Sequence, residues 1–270
     1  MDIVRWLVFG VLPAVAAMLL GVGAGGPRWL AISLAVAVCI PFGILREWPD
    51  WPWALDVAHG DPKAWFWWVL ALGGAIGTGY DARVLPKQVL IVCEVALVAF
   101  LPWLMSADLR RGWSFEQCVA WLGAGWLVIG VTWWALRATG KTLPGVGVPL
   151  AGTIALVTDA VLLHRGHVGM AWQLAGVGAI ALGIAVATTV WRRPFVCGTG
   201  GTLMIVLLHV GLVWYDRAAW ELRSAPLLLA MLVPLPVWIA TTKPFADGRQ
   251  LGLLTGIAGC VALSASALLW

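Results

Sequence analysis

The sequence predicts an all-α fold, a polytopic transmembrane helix bundle of about ten spans with short loops, and three observations predict it. Of 270 residues, 61% are hydrophobic and only 11% are charged. A soluble domain carries about 25% charged residues because its surface faces water, so this chain has too little polar surface to coat a globule. The apolar residues also collect in runs close to the ~20 residues that cross a bilayer core as helix. Charges and tryptophans gather mainly at the ends of these runs and between them. No stretch is polar enough to fold separately, so residues 1–270 read as a single integral membrane domain.

The runs lie near 4–23, 29–45, 64–80, 88–105, 118–136, 146–163, 171–191, 201–215, 226–242 and 251–269. The first follows Arg5 and ends near Ala14-Val15-Ala16-Ala17, an outline a signal peptide shares; it is read as a retained span. The eighth is the shortest, with ends that extend into neighbouring residues.

Short connections carry Arg83 and Lys87, Arg110 and Arg111, Arg137 and Lys141, Arg192 and Arg193, Lys243 and Arg249. The net charge of +4 therefore comes from scattered loop residues. No basic cluster of the kind phosphate binding needs is present, which excludes a nucleic-acid partner. Lys and Arg divide almost evenly between the two sides, and acids, which contribute little to topology, fall mostly on the N-terminal side. The weak bias places both termini on the non-cytoplasmic side of the cell (inner) membrane. Trp65, Trp67, Trp68, Trp133, Trp134 and Trp191 sit near span ends, where indole rings favour the headgroup layer.

The longest connection, Arg46 to Lys63, holds three prolines and cannot be one continuous helix. It is acidic and aromatic, and reads as a surface loop resting on the interface, with a substrate platform as the alternative. The fourth span and the ninth both open on proline and close on proline shortly before tryptophan. They lie five spans apart, which would suit two five-span halves.

Two nucleotide-like patterns fail on context. Gly21 to Gly26 fits G-x-G-x-x-G but lies in a turn between spans, and Gly140-Lys141-Thr142 lacks the glycine at position 135, which is Ala135. Cys39, Cys93, Cys118, Cys197 and Cys260 are widely spaced, without a C-x-x-C pair, and read as small buried apolar residues. His164 and His167 have no third ligand nearby in sequence, so no metal or other cofactor is expected. Gly198-Thr199-Gly200-Gly201 reads as a flexible loop, with an anion-receiving backbone as the alternative. Gly73 with Gly77, and Gly252 with Gly256, have the small-xxx-small spacing of helix-packing faces; an oligomer face is the second reading.

The candidate binding residues are the ionisable groups inside spans: Glu94 in the fourth, Asp159 in the sixth and His209 in the eighth. A charge near the bilayer centre costs about 2.5–3.5 kcal/mol on insertion scales and marks function by default. The three spans run in the same direction, so the groups stand at successive depths. Facing one another, they would form a carboxylate–imidazole–carboxylate ladder able to carry protons. The plainer reading leaves Asp159 leaning towards His164 and the interface, His209 bonded to a backbone carbonyl, and Glu94 protonated or paired with an arginine.

About ten short-looped spans in under 300 residues resembles the scale of the drug/metabolite transporter superfamily. The resemblance extends to size and span count, and none of that group's recurring motifs is present. The residues lead first to a small-solute carrier, with proton coupling through Glu94 and His209 as its sharper form and Pro234-Leu235-Pro236 breaking the ninth span. Second is a non-catalytic membrane scaffold or complex subunit, or a homo-oligomer. Third is a membrane-embedded enzyme acting on a lipid-linked substrate through Glu47, Asp50, Asp56, His59 and Asp61. The expected partners are the lipid bilayer and a small solute or proton.

Overall fold

The computed structural model describes residues 4, 12, 15, 16, 19, 27–45, 62–84, 86–106, 112–143, 145–164, 168–190, 197–220, 229–242, 256–262 and 264–266. Among these, every regular element is helical and no strand occurs. A one-turn 3₁₀ segment, Pro27–Trp29, leads into α1 (Leu30–Leu45). There follow α2 (Pro62–Ala82), α3 (Lys87–Met105), α4 (Phe115–Thr142), α5 (Gly147–Leu163), α6 (Val168–Val190), α7 (Thr199–Trp220) and the short α8 (Leu235–Ala240). Residues 256–262 are also helical. Most of the first predicted span, the interior of the Arg46–Lys63 connection, the Gly21–Gly26 turn, Arg192-Arg193, His167 and Gly252 lie outside the described residues.

Local chemistry sets several helix ends. Ser114 starts α4 with a capping box: its Oγ accepts from Gln117 N–H at 3.3 Å, and Gln117 Oε1 accepts from Ser114 N–H at 2.9 Å. At the end of α2, Arg83 takes a left-handed φ of 57°. Val84 N–H then reaches Gly79 O and Arg83 N–H reaches Tyr80 O, each at 3.2 Å, closing a Schellman turn. Pro86 follows and begins α3.

By length and composition, two helices are long and apolar enough to cross a membrane, Lys87–Leu104 of α3 and Phe115–Thr142 of α4. Only 33% and 39% of their most apolar windows are buried. Their uncovered surface includes Val92, Val95, Phe100, Val119, Leu127 and Trp134. The core helix of a soluble protein would hide such side chains. The other apolar stretches are shorter, among them Gly147–Leu163, Thr199–Gly211 and Leu229–Ala240.

α7 is the centre of the fold. It packs against α1, α2, α3, α4 and α5, and every residue from Gly200 to Gly211 is buried. A helix apolar on all faces belongs in such an interior. It crosses α2 with the two backbones in contact: a Cβ on Gly77 would lie 2.9 Å from Gly200 Cα and O, and one on Gly200 would collide with the Gly77 backbone. Gly73 meets Met204 and Leu207 of the same helix. The Gly73/Gly77 pair is thus an internal packing face.

The structure departs from the sequence-based reading in several places. The eighth span is a 22-residue helix beginning at Thr199, so Gly198-Thr199-Gly200-Gly201 is a helix start and not a loop. The ninth is interrupted: residues 232–234 form turns before the six-residue α8. Its sequence likeness to the fourth span does not extend to conformation, since α3 runs unbroken for 19 residues with Pro102 near its end. Trp67 is a core residue at 4% exposure, edge-on to Phe66 at 5.3 Å, so it does not belong to an interfacial belt.

The α2–α7 crossing has a direct consequence for stability. Gly200→Val should be destabilised by about 1–3 kcal/mol or more through overpacking. Gly123→Ala on the open face of α4, where an added Cβ meets nothing within 4 Å, should gain about 0.5–1 kcal/mol from helix propensity. Thermal unfolding of the two variants in one detergent measures both effects.

Candidate functional site

Lipid or packed side chains offer a polar group no water, so a buried polar side chain must find a partner within the fold. Three such pairings occur around α7.

The first joins α7 to α5. His209 Nδ1 and Asp159 Oδ2 are 2.7 Å apart, with the side chains 0% and 1% exposed. The pair is incompletely satisfied: Asp159 Oδ1 and His209 Nε2 are both buried without a hydrogen-bond partner among the described residues. The backbone carbonyls of Ala230 and Met231, from the interrupted ninth span, lie within electrostatic reach of the imidazole.

Prolines explain why a carbonyl is free there. In an unbroken helix Met231 O would accept from the amide four residues on. That amide, Leu235 N–H, instead bonds Leu232 O at 3.0 Å, while Val233 N–H bonds Ala230 O at 3.1 Å. Pro234 has no N–H to offer at the three-residue spacing. Met231 O therefore accepts from the Thr132 hydroxyl of α4 at 3.3 Å. Asp159, His209, Met231 and Thr132 bring four separate segments to one buried polar junction. Thr158, next to Asp159 in sequence, separately ties α5 to Ser264 through a 2.7 Å hydroxyl–hydroxyl bond.

Charge accounting narrows the protonation of the pair. Three arrangements carry no net charge: imidazolium with carboxylate, neutral imidazole accepting at Nδ1 from Asp159 protonated on Oδ2, and neutral imidazole donating from Nδ1 to Oδ2 of an acid protonated on Oδ1. The first two place a hydrogen on Nε2, on the ring edge opposite Asp159. A neutral ring protonated only at Nδ1 beside an ionised Asp159 would leave a bare negative charge in the interior, a costly state at this burial.

The second pairing lies on α2 and α3. Tyr80 Oη donates to Glu94 Oε2 at 2.7 Å, and Glu94 is 5% exposed. Of the three predicted binding residues, Asp159 and His209 thus come together, whereas Glu94 bonds Tyr80. No hydrogen bond or ion pair links Glu94 to the other two among the described residues. Asp159 turns inward to α7 and not towards His164, which is exposed.

The third pairing was not foreseen. Asp81, in the last turn of α2, accepts from Gly200 N–H at 3.1 Å and Gly201 N–H at 3.3 Å. An acid at its own helix's C-terminus is disfavoured by the dipole, yet here it meets the unpaired donors and positive end of α7. The glycine-rich backbone does receive an anion, the alternative to the loop reading, but that anion is an internal carboxylate. Its only sequence signal was an acid in a short connection, which names no partner.

Among the described residues no cluster of three or more His, Cys, Asp or Glu could hold a metal ion. All five cysteines are free. The chain matches no protein-family model, and neither curated proteins nor solved structures include a significant match.

Removing one member of the pair should be worse than removing both. Asp159→Leu or His209→Phe alone should cost about 3–5 kcal/mol, the range for stranding a buried ionic partner, and the double variant should recover most of it. A double-mutant cycle of unfolding free energies in detergent would show a coupling near zero if the contact carries no energy.

Proposed function

We propose that this chain is a polytopic membrane protein of about ten spans, in the cell (inner) membrane, that carries a small solute in exchange for or together with protons. The observation that carries this reading is the buried Asp159–His209 pair, with one unpartnered atom on each side, set against a helix broken by Pro234. Broken helices with free carbonyls beside ionisable groups are how many carriers build ion sites within the membrane.

The chemistry proposed for the pair is a change of charge tied to opening. Sealed from water, it is confined to its net-neutral states. A proton arriving at Asp159 Oδ1 produces imidazolium beside a neutral acid, with net charge +1. Loss of a proton leaves −1. Each charged state is penalised in the closed interior and forms when the interrupted segment moves and admits water. Proton movement would then follow the conformational cycle and not leak through a static wire. Thr132 and the Met231 carbonyl would hold the moving segment against α4 and α7 in the closed state.

The apolar, largely uncovered faces of α3 and α4 support the membrane setting, since lipid is the medium in which they cost nothing. The glycine-mediated crossing of α2 and α7 fits it too, because membrane helices associate through small residues that let backbones approach.

A pH jump on purified protein in liposomes, recorded as charge displacement on a solid-supported membrane, tests the proposal without knowledge of the solute. The wild-type chain should give a transient, and Asp159→Asn and His209→Gln should each reduce it at least tenfold while eluting as folded monodisperse protein. Gly123→Ala, on the open face of α4, should leave it unchanged. A wild-type chain without a transient, or pair variants that keep it, would overturn the assignment.

A further inference from the structure

Side chains four residues apart share a helix face, and on α2 Trp68, Leu72, Ile76 and Tyr80 form such a row. The first three line a groove of about 560 Å³, whose opposite wall on α3 includes Cys93, Phe100 and Leu104. That volume lies within the ~300–1,000 Å³ of small-molecule sites. The walls are apolar, and Leu72 and Phe100 are 55% and 51% exposed at the rim. The opening is on α3, one of the two helices with the length and composition to cross a membrane.

One helical turn beyond Ile76, the row ends on Tyr80 and its bond to Glu94. Tyr80 occupies Glu94 Oε2, and this is the one side-chain hydrogen bond Glu94 makes among the described residues, leaving Oε1 without one. Arg137 of α4 is close enough to act on the Tyr80 phenol, but its guanidinium lies over the Trp133 ring, 5.8 Å from the centroid, and makes no ion pair with Glu94. The groove lining thus stops at Ile76 and Cys93, one helical turn from Tyr80 and one residue from Glu94, and among the described residues that carboxylate has one oxygen without a hydrogen bond and no ion-pair partner.

We infer that the groove between α2 and α3 binds an amphiphilic amine, its hydrocarbon body along Trp68, Leu72 and Phe100 and its ammonium group on Glu94 Oε1. An apolar lining offers a sugar or an amino acid nothing to replace its water hydrogen bonds. An anionic amphiphile would bring a second negative charge beside the carboxylate. An ammonium supplies both the missing hydrogen-bond donor and the counter-charge. The inference names the solute class of the carrier proposed above and rests on that reading, while the binding step can be measured without transport.

The test is equilibrium binding of dodecylamine and dodecan-1-ol to the purified full chain in detergent, with stoichiometry from native mass spectrometry. Dodecylamine should bind saturably at one site, at least tenfold tighter than the alcohol. Glu94→Gln should bring the amine to the alcohol's affinity, and Ala96→Trp, which fills the groove wall, should weaken both at least tenfold. Circular dichroism and elution volume verify that each variant is folded, and Ala99→Trp outside the groove lining serves as a second bulky control that should leave both affinities intact. Equal affinity for amine and alcohol, insensitivity to Glu94→Gln, or no saturable binding would overturn the assignment. If binding fails while the pH-jump transient persists, the solute class is wrong and the carrier reading stands. If binding holds without a transient, the groove stands and proton coupling falls.

Discussion

An imidazole and a carboxylate, both sealed from solvent, can share an apolar interior only if each supplies what the other lacks. The 2.7 Å contact between His209 and Asp159 meets that requirement for one atom of each side chain and leaves the other two facing the packed surroundings. Everything around the pair reflects this constraint. α7 has no polar face to turn towards water along its buried stretch, and α5 is buried over most of its length. The broken ninth span brings the carbonyls of Ala230 and Met231 within electrostatic reach of the imidazole.

The position of α7 is held from its other end. Asp81 caps its first turn from α2, and the Gly77–Gly200 crossing brings the two backbones into contact, which only glycine at both positions permits. Stability and site geometry therefore share residues: a shift of α7 along α2 would move His209 relative to Asp159. Thr132 and Ser264 extend the same polar framework to α4 and to the helical residues near the C-terminus. Tyr80 and Asp81 are consecutive on α2, so the bond to Glu94 and the cap on α7 both depend on that helix's last turn.

How much of this was legible in the sequence depends on the range of the interaction. Helices follow from apolar runs of bilayer length, and the interruption at Pro234 follows from a missing amide; both are local. The prominence of Glu94, Asp159 and His209 was also visible, because an ionisable residue within an apolar run stands out. Which of them meet was not. Asp159 and His209 are 50 residues apart, and only the packing of α5 on α7 decides that they touch and that Glu94 turns to Tyr80. Asp81 was overlooked because its partners are backbone amides more than a hundred residues away. Trp67 read as interfacial because span ends resemble one another in sequence, whether lipid or Phe66 lies beside them. The start of α7 read as a loop because glycine-rich segments are ordinarily turns, and the donors that make this one a helix cap are satisfied only in the folded chain.

The most direct measurement is the ¹⁵N spectrum of the His209 imidazole in a lipid bilayer, assigned by difference from His209→Gln. A short hydrogen bond at Nδ1 that disappears in Asp159→Leu is the expected result. An imidazole without that bond, or one indifferent to Asp159, would contradict the neutral-pair account and the proton role built on it.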